Sequence, residues 1–280
     1  MTGTHNEYAV DSKNLTDLEA GGNDGLRQLR SVQSVSMSPE LFEKLYLSPP
    51  TKAAGNLRRT FGNPTPMALV GFLLSLMPLS CDLMGWRGAG DFGVATIAVY
   101  FFMGGLLMFL SGVLEWILGN SFPATVFCSF GGFWFAFGGT LNPTFGAYSF
   151  YASDPSNPTA GLTAARFNAS LGFWLVIMGI LAFLYMICAL RTNIVFVIIF
   201  LSLLPAFGLL TAAFWLQAAD FEGNTAKANN MFVGAGASLF VTCIAGWYIL
   251  VSIMFEIVDF PLQLPVGDLS TIIKGRNMRK

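Results

Sequence analysis

Polar and apolar positions divide this chain sharply. Residues 1–60 are rich in Ser, Gly, Asn, Asp and Lys/Arg, with apolar positions scattered among them. From Phe61 onward the sequence is apolar almost to its end. The apolar part falls into six segments, about 66–86, 92–117, 123–148, 167–190, 193–218 and 231–257, separated by charges or by Gly, Asn and Pro. Each matches the roughly 20 helical residues that a bilayer core requires. The pattern therefore predicts an all-α polytopic membrane protein: a six-transmembrane-helix bundle over residues 61–260, preceded by a disordered cytoplasmic tail (1–60) and followed by a cytoplasmic C-terminal tail (261–280). Within the first tail, Ser38-Pro39 followed by Leu41, Phe42 and Leu45 reads either as a short amphipathic helix docking near the membrane or as a transient one.

The entry to the first segment is Phe61-Gly62-Asn63-Pro64-Thr65-Pro66. Each proline fixes its own φ and pushes the residue before it out of the α region, so a helix begins at or just after Pro66. Asn63 is placed to accept from the first N–H groups. Asn142-Pro143 is expected to kink or end the third segment, and Pro205 to kink the fifth. Small residues recur, as in Gly104-Gly105, Gly131-Gly132 and Gly234-Ala235-Gly236-Ala237. They suit close packing of helix backbones within one chain, contacts between subunits, or a pore lining.

Composition agrees with the pattern: 54% of residues are hydrophobic and 11% charged, against about 25% charged in soluble domains. The net charge of −1 gives no reason to expect a nucleic-acid partner. Seven Lys/Arg lie in residues 1–60, and Arg191, Lys274, Arg276, Arg279 and Lys280 would share their side of the membrane. Arg87, Arg166 and Lys227 would face the other side. This bias places both termini in the cytoplasm. The four cysteines are far apart in sequence and the one histidine is His5, so neither a metal site nor a cofactor is expected.

No nucleophile elbow, phosphate-binding loop or zinc-protease motif is present, and the segments are nearly free of charge, so an enzyme is not expected. Ionisable groups within membrane spans are candidates for function. Glu115, in Gly112-Val113-Leu114-Glu115-Trp116, reads either as a carboxylate that pairs with a cation or carries a proton, or as an interfacial residue beside Trp116. Asn63-Pro64-Thr65 and Asn142-Pro143-Thr144 invite comparison with the paired Asn-Pro-Ala boxes of water channels. The first box opens the first helix, no Arg follows the second, and the two halves do not mirror each other, so that reading is rejected.

Three blocks in order point elsewhere: Asn63-Pro64-Thr65-Pro66-Met67-Ala68-Leu69 with Phe72; Gly112 to Trp116 followed by Gly119-Asn120-Ser121-Phe122 and Ser129-Phe130-Gly131-Gly132-Phe133-Trp134; and Leu264-Pro265-Val266-Gly267-Asp268. Together they resemble the acetate uptake transporter family, which includes fungal acetate permeases, also linked to ammonia export, and bacterial succinate–acetate permeases. The resemblance implies a plasma-membrane protein that moves acetate or another short carboxylate, as a proton-coupled symporter or an anion channel. Ammonium export, or a sensor or regulatory subunit of the same fold, are the alternatives. It also implies a likeness to hexamers, hence a homo-oligomer, with a substrate path through each bundle. An apolar girdle of that path would map onto Phe72, Phe130 and Leu204, with Asn63, Pro64, Pro66 and the amide N–H groups after Pro66 forming a carboxylate site at one mouth. The chain departs from the family pattern at Thr65, Met67 and Ala68, where the signature has Ala, Leu and Gly, and at Phe130, where a Tyr hydroxyl is lost.

Overall fold

The computed structural model describes residues 61–270 and 272–273; the short helix expected near Ser38 lies outside them. Among the described residues six helices are long and apolar enough to cross a bilayer: α1 (Thr65–Leu83), α2 (Asp91–Ile117), α3 (Ser121–Leu141), α4 (Ala165–Ala189), α5 (Ile194–Ala219) and α6 (Thr225–Ile257). The all-α, six-span reading is borne out.

Local chemistry sets most of the boundaries. At the start of α1 the Asn63 side chain accepts from the Thr65 N–H at 2.9 Å. The same turn recurs at Asn142, which accepts from the Thr144 N–H at 2.9 Å. There it ends α3 at Leu141, one of the two outcomes expected at Asn142-Pro143, and short 3₁₀ turns (Pro143–Phe145, Ser149–Tyr151, Pro158–Thr163) follow. The two Asn-Pro-Thr boxes are thus one local device used twice, once to start a helix and once to stop one. Asn193 caps α5 by accepting from the Phe196 N–H at 2.9 Å. α6 starts at Thr225, ahead of its apolar run, because Asn224 O accepts from the Ala228 N–H and extends the ladder through polar residues. Pro78 and Pro205 lie within α1 and α5, where each withholds one N–H from the carbonyl four residues earlier.

α2 is composite. It opens with 3₁₀ turns (Asp91–Thr96) and a single α turn (Ile97–Val99). A π-helical stretch follows (Tyr100–Leu107), and the segment ends as α-helix (Met108–Ile117).

Sequence neighbours pack together: α1 on α2, α2 on α3, α4 on α5, α5 on α6, and α6 back on α1. Glycines set the tightest approaches. A Cβ at Gly71 would lie 2.5 Å from the Met103 carbonyl oxygen, and one at Gly131 would lie 2.7 Å from the Phe109 nitrogen. The α3–α4 seam is made by rings. Phe133 stacks on Trp174 at 5.0 Å, and Tyr185 meets Phe130 at 6.2 Å and shares a hydrogen bond of 3.0 Å with Ser129. That seam closes the six helices into a ring around a central axis. One end of the ring, the terminal end, holds the start of α1, the α2–α3 and α4–α5 turns and the end of α6. The other, the loop end, holds the three remaining connections.

The segment after α6 folds back on the terminal end. Ile194 N donates to Gly267 O and Leu269 N to Thr192 O, both at 2.9 Å. Tyr248 Oη donates to Pro265 O at 2.6 Å, Ser252 Oγ donates to Leu264 O at 3.1 Å, and Val266 is buried. The Leu264–Asp268 block therefore packs against α5 and α6 as part of the bundle.

Candidate functional site

Two cavities lie in tandem along the axis of the ring. The larger runs toward the loop end. Its wall includes Phe72, Leu76, Leu79 and Leu83 of α1, Phe130 of α3, and Leu203, Phe207 and Phe214 of α5. The smaller runs toward the terminal end past Leu69, Met108, Phe127 and Phe200. The two linings share Phe72, Phe130 and Leu203, and no other residue. These three side chains, from three different helices, stand between two compartments.

Two of the three are the residues expected from the sequence. At the third place stands Leu203, the neighbour of the expected Leu204. Leu203 is buried and lines both cavities, whereas Leu204 is half-buried and lines neither. Successive helical residues are turned by about 100°, so a one-residue shift moves the side chain off the axis.

The walls are aliphatic and aromatic. The one polar side-chain atom that the larger cavity's lining residues supply is Trp134 Nε1, which is buried without a hydrogen-bond partner. Phe130 carries no hydroxyl, but the Tyr185 phenol stands behind it on α4, bonded to Ser129. Sequence reasoning passed over Tyr185 because nothing in its apolar surroundings sets it apart.

Asn63, Pro64 and Pro66 form the α1 cap at the terminal end. The first-turn amides are all used: Thr65 N donates to the Asn63 side chain, and Met67 N and Ala68 N donate to Pro64 O at 3.1 and 3.3 Å. Pro66 has no N–H. The cap therefore has no spare first-turn amide for a carboxylate, contrary to the expectation of a donor-rich mouth.

Beside the cap sits the buried acid. Glu115 is fully buried, as are Thr65 and Asn120. Thr65 Oγ1 donates to Glu115 Oε1 in a short bond, and Asn120 Nδ2 donates to Oε2 at 2.6 Å. The Asn120 N–H also donates to the Glu115 carbonyl at 2.8 Å. Glu115 faces into the bundle two residues before the end of α2, while its neighbour Trp116 is exposed. The hydroxyl that Thr65 adds to the signature has a definite use: it binds this carboxylate. Thr65 is one helical turn from Leu69, which lines the smaller cavity, so the cluster lies roughly 6 Å along the axis beyond that wall.

Comparison with known proteins agrees with this architecture. The model of the GPR1/FUN34/yaaH family matches residues 47–271. Protein alcS of Aspergillus fumigatus is 47% identical over 238 residues, covering 85% of this chain and 86% of the relative. The acetate transporter protein patA of Aspergillus clavatus is 31% identical over 75% of this chain and 80% of its own length. Among solved structures, that of the bacterial acetate channel SatP superposes with a TM-score of 0.52 at 24% identity, over 74% of this chain and 99% of that one, a likeness in fold. By its sequence along nearly the whole described length, this multi-pass membrane protein belongs to the GPR1/FUN34/yaaH family.

Proposed function

We propose that the protein conducts acetate or another short carboxylate, as the free acid or the partly dehydrated anion, along the axis of its six-helix ring. The observation that carries this reading is the pair of tandem cavities meeting at Phe72, Phe130 and Leu203. An apolar constriction of this kind opposes hydrated ions by dewetting. It opposes a small acid far less, because burying an unpaired charge is costly and protonation removes that charge. Short carboxylic acids combine a proton to shed with a small apolar body, and the walls suit both properties. The names of the acetate-transporting relatives support the same substrate class.

In this reading the Thr65–Glu115–Asn120 cluster handles the proton at the terminal end, and no catalytic step is involved. Both termini face the cytoplasm of a plasma-membrane protein, as the Lys/Arg distribution favours, and copies assemble as a homo-oligomer. The experiment is uptake of radiolabelled acetate, with ammonium in a parallel arm, into vesicles holding the purified full chain, with and without an inward-acid pH gradient. Acetate flux above that of empty vesicles is expected. Flux of ammonium alone would replace the carboxylate reading, and flux of neither would end the transport reading.

A further inference from the structure

At the loop end the larger cavity meets a cluster of three rings. Phe92 lines it there. Its ring stacks on Phe214 of α5 at 5.5 Å and meets Phe232 of α6 edge-on at 5.0 Å, while Phe214 and Phe232 contact each other at 5.3 Å. Phe214 and Phe232 are buried on long helices, whereas Phe92 is half-buried and sits in the 3₁₀ turn that opens α2, directly after the α1–α2 connection.

Among the described residues, the stretch from the α1–α2 connection into the start of α2 is unlike any other. Six of the nine residues from Gly85 to Gly93 have left-handed φ, and three of them are not glycine: Arg87 at 58°, Asp91 at 53° and Phe92 at 54°. Left-handed backbone is disfavoured for residues with a Cβ and persists only where surrounding contacts hold it. Here two such contacts are hydrogen bonds. The Tyr100 hydroxyl donates to Phe92 O at 2.8 Å, and Thr96 Oγ1 donates to Gly93 O at 3.1 Å. Swinging the segment away would break the ring contacts and relieve the strain. The two terms oppose each other.

We infer that Phe92 is a second gate of the conduction path: its ring, held against Phe214 and Phe232 by a strained stretch that Tyr100 pins, controls entry from the loop end into the compartment above the Phe72–Phe130–Leu203 constriction. The inference rests on the axial path proposed above. It makes Phe92 a size-selecting residue and Tyr100 the residue that positions it.

The test reads access to the compartment directly, without needing flux. Cys81, Cys128, Cys188 and Cys243 are replaced by alanine in the full chain, and Leu76→Cys places a thiol in the cavity wall between the constriction and the three rings. Its alkylation by a small maleimide is followed by mass spectrometry. Phe92→Ala removes two aromatic contacts and is expected to speed alkylation about tenfold, equivalent to about 1.4 kcal/mol. Tyr100→Phe, which leaves the gating ring intact, is expected to speed it as well and serves if Phe92→Ala does not fold. Phe150→Ala, at an exposed loop-end ring outside the cavity lining, is expected to leave the rate at its reference value. Unchanged rates in both Phe92→Ala and Tyr100→Phe, or an equal acceleration by Phe150→Ala, would overturn the gate. Failure of the path reading shows separately, as absence of acetate flux in vesicles holding the unaltered chain.

Discussion

Replacing Thr65 by valine keeps the shape of the side chain and removes only the hydroxyl that donates to Glu115. The carboxylate is fully buried, so no bulk water takes over that contact. A hydrogen bond to a charged group is worth about 1.5–3 kcal/mol, and an acceptor left short of a donor in a buried site loses in that range. For chains of 150–250 residues each kcal/mol moves the melting midpoint by about 2–4 °C; carried over to this somewhat longer chain, that sets an expected fall of roughly 3–12 °C for Thr65→Val. Thr65→Ser keeps the donor and should fall by far less. The assay is thermal unfolding of the purified full chain in detergent, repeated in a Glu115→Leu background. There the carboxylate is gone and Thr65→Val should have little left to remove, because residues in direct contact are not additive. If Thr65→Val melts with the unaltered chain, or falls equally in both backgrounds, the Thr65–Glu115 bond is not what holds this end of α1 to α2.

Three further outcomes follow from the axial geometry. Phe72→Ala opens the constriction shared by the two cavities and is expected to admit longer acids, read as a shift in competition by a chain-length series against labelled acetate; an unchanged series would remove Phe72 from the path. Leu203→Ala is expected to alter that selectivity, while Leu204→Ala, one position away and outside both linings, should leave it as it was. Glu115→Gln keeps an acceptor for Thr65 but cannot release a proton, so uptake should persist while its dependence on a pH gradient disappears; retained dependence would place proton handling elsewhere.

How much of this was legible in the sequence depends on whether a residue announces itself by local chemistry or only by its place in the packing. The six spans were readable because each is an apolar run of membrane length bounded by polar or helix-breaking residues. The α1 cap and the end of α3 were readable because Asn-Pro-Thr acts within four residues of itself. The three blocks that resemble the acetate uptake transporter family gave Phe72, Phe130 and Glu115 together, and the structure brings the first two to one constriction. The use of the Thr65 hydroxyl was not readable, since it depends on a partner fifty residues away across a helix–helix contact.

The displacement from Leu204 to Leu203 has a general cause. A helix at the surface of a soluble protein declares its inward face by alternating polar and apolar stripes. α5 is apolar all round: Leu201 and Ile198 are exposed, Leu203 and Phe207 are buried, and residue type does not tell them apart. In a lipid environment the outward face is as apolar as the inward one, so periodicity loses its power to set rotation about the helix axis. What sets it here is packing and polar pairing. Ser202 Oγ bonds to Thr242 Oγ1 of α6 at 2.7 Å, and Ser238 Oγ of α6 donates to Ser202 O at 2.7 Å. Those two bonds turn Ser202 toward α6. Leu203, next along the helix, then falls on the axis, and Leu204 does not. The small polar residues buried between apolar helices therefore carry the register information that hydrophobic patterning cannot, and they are the residues from which the lining of a bundle such as this one is best read.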